Sequence, residues 1–126
     1  MTPYNALLAS LGSNVVELKF SRRRPKSNIS STRRMLATLD YNLLNSEQGL
    51  SILNFKSPSG SPAYNAKNKG LVVAWDILVQ DWRMINTESC DIITKIPTSP
   101  DVEFWDYFNK VILPMSAAQK AAFINA

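Results

Sequence analysis

The side chains whose types and spacing bear on chemistry are three carboxylates, one thiol and a run of arginines. Asp101, Glu103 and Asp106 fall within one short stretch and carry the groups used for acid, base or metal-ligand work. They also open a helix-like pattern, where acids complement the helix dipole and stay solvated, and that role is the one expected. Ser116 and Lys120 stand one helical turn apart. Ser116 is better read as the cap of an S-x-x-Q box with Gln119, and Lys120 as an exposed lysine. Cys90 is the sole cysteine. It forms no internal disulfide and has no evident activating partner, so a structural thiol is expected. There is no histidine, which removes the commonest general base and the commonest metal ligand. One cysteine cannot build a zinc site, and the four glycines form neither a P-loop nor a G-x-G-x-x-G turn. The expectation is a non-enzyme with no catalytic residue, metal, cofactor or small-molecule substrate, although a carboxylate pair assembled in space stays open.

The basic residues are more informative. Residues 1–63 hold eight Lys/Arg against three acids, and residues 64–126 hold six against seven. Between Lys19 and Arg34 there are seven basic residues and no acid. Such clustering suits a polyanion partner, because each neutralised phosphate releases counterions. A solvated basic loop is the alternative reading of the same residues.

These side chains need elements to hold them. The chain has 126 residues, 45% hydrophobic and 19% charged, enough for one globular domain with a real core. No basic leader with an apolar core is visible at Met1–Ala9, and the most apolar stretch, Leu71 to Val79, contains Asp76, so neither a signal peptide nor a membrane span is expected. Gly12-Ser13-Asn14 signals a turn, followed by a strand at Val15–Phe20. Residues 21–28, with Pro25, read as a loop. Arg33–Leu43 alternates: Met35, Ala37, Leu39, Tyr41 and Leu43 share one parity, Arg34, Thr38, Asp40 and Asn42 the other, as on the two faces of a strand. Leu50–Lys56 is a further strand candidate, with Leu53 and Phe55 odd and Asn54 and Lys56 even. Odd positions should then face helices and even positions a ligand. Leu71–Ile85 carries the strongest strand signal, with Leu71, Val73, Trp75, Ile77 and Val79 at period two. Residues 88–96 fit either a last strand or a short helical turn. Ser99 with Pro100 and Asp101 reads as a helix start, Phe104 to Ile112 as an apolar helical face with an Asp106–Lys110 pair, and Pro114 as its end. The capping box then opens a short helix through Ile124. Trp75, Phe104 and Phe108 read as core. Tyr41 and Tyr64 are the better candidates for stacking on bases.

This order of elements resembles the coat proteins of single-stranded RNA bacteriophages, the levivirus group. The resemblance lies in pattern and length and spans nearly the whole chain: Tyr4–Phe20 as an N-terminal hairpin, Arg33–Ile85 as an antiparallel sheet, Pro100–Ile124 as two helices. It carries no diagnostic motif. It implies an α+β fold, residues 1–97 mainly β and residues 98–126 a helical tail, with the tail crossing a dimer partner through Phe104, Phe108, Val111 and Ile112. It further implies an icosahedral shell of such dimers, genomic single-stranded RNA as ligand, and a virion protein made in the host cytoplasm.

From the residues themselves, Arg34, Thr38, Asn42, Asn54 and Lys56 suit phosphate and base contacts on a sheet face. Arg22, Arg23, Arg24 and Lys26 should add nonspecific affinity. Two other classes remain: a small dimeric nucleic-acid-binding regulator that builds no shell, and a metal-free ribonuclease using Lys, Arg and Asp.

Overall fold

A computed structural model describes residues 2–22, 31–57 and 70–126. The chain begins with a helix, α1 (Pro3–Ser13), where a hairpin arm was expected. The local reasons are plain: Thr2 caps it by accepting from the Asn5 N–H at 3.1 Å, Pro3 occupies the first turn, and Leu7 and Leu11, four apart, share its buried face. Gly12-Ser13 thus closes a helix and is not a hairpin turn.

Strand β1 (Asn14–Ser21) follows as expected, and β2 (Thr32–Thr38) pairs with it antiparallel, Leu18 opposite Met35. The alternating run stops at Thr38. There the Thr38 hydroxyl donates to the Asn14 carbonyl at 2.9 Å and accepts from the Asp40 N–H at 3.0 Å, and Asp40 caps a short helix, α2 (Tyr41–Leu44). Ser46 caps the next, α3 (Glu47–Ser51). The strand expected at Leu50–Lys56 is therefore a helix end and irregular chain. Its period-two logic survives only in that Leu53 and Phe55 are buried.

The long apolar run at 71–85 is two strands. β3 (Leu71–Asp76) and β4 (Asp81–Asn86) form a hairpin, Trp75 opposite Trp82. Asp76 makes the turn, its Oδ1 accepting from the Leu78 and Val79 N–H groups at 2.9 and 3.1 Å. A 3-10 turn (Thr87–Ser89) leads into β5 (Asp91–Pro97), which returns to pair with β1. Both readings of 88–96 are thus realised in sequence. The antiparallel sheet has the order β4-β3-β2-β1-β5. β3 joins β2 through only two residue pairs, and the sheet curls so that β4 approaches β1.

Two cores result. Leu7 and Leu11 of α1 pack with Val16, Leu18, Phe20, Met35, Ala37, Val72, Ala74 and Ile85 on one side of the sheet. On the other side Leu36, Trp75 and Ile96 pack with Leu44, Leu53 and Phe55 and with the C-terminal helices. These are α4 (Val102–Tyr107), continued by a π-helical turn (Phe108–Ile112), and α5 (Ala117–Ile124). The first starts at Asp101 rather than Ser99. The Asp106–Lys110 pair forms at 3.1 Å, and the Ser116–Gln119 capping box is complete.

One expectation is corrected outright. Phe104, Phe108 and Ile112 are buried in this chain's own core, and only Val111, 39% exposed, remains at the surface. The aromatic face that was to dock on a partner covers the sheet from which it comes. Hydrophobic burial favours the nearest available surface, and the Pro97–Asp101 connection is short enough to fold the tail straight back.

Candidate nucleic-acid interface

The parity argument assigned one strand face to helices and the other to ligand. Both faces are covered instead. Met35 and Ala37 lie against α1, and Leu36 lies against the C-terminal helices. Of the even residues, Thr38 is fully buried, with its hydroxyl engaged as above. Arg34 pairs with Glu17, Nη2 to Oε2 at 2.6 Å, and its guanidinium lies 4.2 Å over the Phe123 ring of α5. Asn42 is exposed in the first turn of α2, off the sheet. Asn54 adopts φ 55°, and its amide donates to Gln80 Oε1 at 2.7 Å. Lys56 is exposed, while its carbonyl accepts from the Trp82 indole N–H at 3.0 Å. These five do not form one surface. Arg23, Arg24, Lys26 and Tyr64 lie outside the described residues.

Arginines gather elsewhere. Arg22, at the end of β1, Arg33 in β2 and Arg83 in β4 line one cavity of about 230 Å³ with Phe20, Leu71, Met84 and Asn86. None of the described residues lining it is acidic. Arg33 is anchored from behind: its Nη2 meets Oδ2 of the fully buried Asp76 at 2.9 Å. Its Nε is buried without a hydrogen-bond partner among the described residues. Arg83 reaches the exposed Asp81 at 3.1 Å and the Trp82 carbonyl at 2.7 Å. Arg22 donates through Nη2 to Asn125 Oδ1 at 2.8 Å. Burial and then the like charge of Arg33 lower the Arg22 pKa, so an anion placed here would relieve repulsion already present. Three arginines beside apolar Phe20, Leu71 and Met84 suit a phosphate diester, which takes bidentate N–H donors while its sugar covers carbon.

Arg33 belongs to the basic run visible in the sequence, but Arg83 carried no signal. It is the one arginine of residues 64–126 and joins the cluster only through the curl of the sheet. Lys19 lines a neighbouring shallow cavity with Ser21, Thr32, Ser89 and Asp91, which extends the polar rim.

The carboxylates are spent on structure. Asp101 Oδ2 accepts from the Trp105 indole N–H at 3.0 Å. Asp40 and Asp101 do line a cavity with Ser46, Thr98 and Ser99, but Asp40 Oδ1 takes the α2 N–H groups and Oδ2 takes the Thr98 hydroxyl. No group of three or more His, Cys, Asp or Glu among the described residues could hold a metal ion. No helix among them is long and apolar enough to cross a membrane. In comparisons with known proteins, no family model, curated protein or solved structure matches this chain.

Proposed function

We propose that this protein binds nucleic acid, with single-stranded RNA as the ligand class, by gripping the phosphate backbone without reading base sequence. The observation that carries this is the cavity lined by Arg22, Arg33 and Arg83 with no acid among its described lining residues. It lies where the chain enters the basic run Arg23, Arg24, Lys26. Phosphate contacts supply affinity and salt dependence, and base contacts supply sequence choice. The cavity offers the first kind. Titration of poly-U RNA tests this. Arg22→Gln and Arg83→Gln should each weaken binding several-fold at low salt, with thermal melting little changed. Arg33 is left intact because Asp76 depends on it. Binding equal to wild type in both variants would remove the cavity from the function.

The coat-protein reading is the second proposal. Its support is an antiparallel sheet followed by two C-terminal helices. Against it stand α1 in place of the hairpin and a tail that covers its own sheet. The two readings part after RNA is bound. A coat protein sediments as uniform RNA-containing particles, and a binding module stays small at every RNA ratio.

A further inference from the structure

Two arginines are in contact with the end of α5 and its cap. Arg34 lies under the Phe123 ring at 4.2 Å, and Arg22 donates to Asn125 at 2.8 Å. One residue separates those contacts along α5 and its cap, so a single helix end clamps a guanidinium on each of two strand ends. The helix itself is lightly held. Its eight residues include none that is buried; Phe123, Ile124 and Asn125 are only half-buried. A helix this short has little stability of its own in water, so its docking depends on those side-chain contacts and on Phe123 and Ile124 packing at the edge of the core. α5 carries no acid, so it covers Arg22 without neutralising it, while Arg34 keeps its Glu17 partner at 2.6 Å.

We propose that α5 is a displaceable cover over part of the basic surface, released when a polyanion takes Arg22. This rests on the nucleic-acid reading above and adds its regulation. Phosphate offers the Arg22 guanidinium a full charge, whereas the Asn125 amide offers a neutral oxygen. Bound RNA and docked α5 therefore compete for the Arg22 donors. Competition of this kind is a coupling free energy and acts in both directions: RNA loosens α5, and loosening α5 tightens RNA binding.

The test uses the full-length chain and poly-U RNA. Amide hydrogen exchange across 117–124 should accelerate when poly-U is added to wild-type protein, while the amides of β1 and β2 keep their protection. The double variant Phe123→Ala/Asn125→Ala should bind poly-U at least about fivefold more tightly than wild type, the lower end of ordinary coupling. The exchange measurement needs no substitution, so it stands if the variant folds poorly. Wild-type binding with unchanged α5 exchange, or equal affinity of a folded double variant, overturns the cover and leaves the RNA reading intact. No binding by either chain overturns both.

Discussion

Asp76 shows how a residue's meaning changes once its surroundings are known. In the sequence it merely interrupts an apolar run. In the fold it is completely buried, closes the β3–β4 turn through two backbone N–H groups and holds Arg33 toward the basic cavity. Removing one partner of a buried ion pair leaves the other charge uncompensated, at a cost of about 3–5 kcal/mol. Asp76→Ala should lower stability by that amount in denaturant titration, and a loss no larger than that of an exposed aspartate variant would show that the pair is dispensable. Cys90 behaves as its isolation suggested. Burial, and then Asp91, push its thiol from 9.0 up to about 11. The thiolate is then scarce at neutral pH, and labelling by a disulfide reagent should stay slow until the pH approaches 11. Because the folded thiol titrates above its ordinary value, its contribution to stability is complete below pH 9.0 and is lost as the pH rises through about 11. Fast labelling of the native protein at neutral pH would contradict this.

At the scale of elements, periodicity located apolar residues better than it named their structures. Val15–Phe20, the Asp106–Lys110 pair and the Ser116–Gln119 box were legible because local signals and packing agree there. Tyr4–Ser13 was misread although its signals were present. Thr2-Pro3 is a helix start, and Leu7 and Leu11 share a helical face, but a short apolar stretch before a turn looks equally like a hairpin arm. The error at 39–56 has a different origin. The even spacing of Leu39, Tyr41, Leu43, Leu53 and Phe55 mimics strands, while Asp40 and Ser46 divert the backbone into capped helical turns. Gly49 reveals how tightly those turns pack: a Cβ there would meet the Leu43 and Leu44 carbonyl oxygens at 2.2 and 2.4 Å. These are backbone atoms that cannot step aside. Gly49→Ala should therefore destabilise by about 1–3 kcal/mol, the usual range for overpacking. An unchanged melting temperature would mean that α2 and α3 pack more loosely than the structure indicates.

For the whole molecule, the question is whether the fold ends at one chain. The tail was expected to need a partner; Phe104, Phe108 and Ile112 find their partner in the same sheet. Truncation after Pro97 should still give an unfolded or aggregating chain, because Phe104, Trp105, Phe108 and Ile112 leave one core with it, but that result no longer argues for a dimer. The β5 edge carries exposed Ile92 and Ile93, together with a register shift opposite Glu17/Leu18 and with Lys95 and Pro97. Bulges, lysines and prolines are the features that guard an edge against strand addition. For the proposed nucleic-acid binding, the charge distribution is then the property that matters most. Seven of the chain's basic residues fall between Lys19 and Arg34, and the curl of the sheet adds Arg83 from the other half. Cations that act by displacing counterions contribute alike to every RNA sequence, and each lost contact flattens the logarithmic salt dependence by roughly 0.7 on a single strand. Replacing Arg22, Arg23, Arg24 and Lys26 together by glutamine should weaken binding to poly-U and poly-A by the same factor. The slope should fall by at most about 3, according to how many of the four touch phosphate. Titrations of both polymers over a range of salt measure the two quantities together. A loss confined to one polymer at an unchanged slope would assign the basic run to base recognition, and the backbone grip would then have to rest on Arg33 and Arg83 alone.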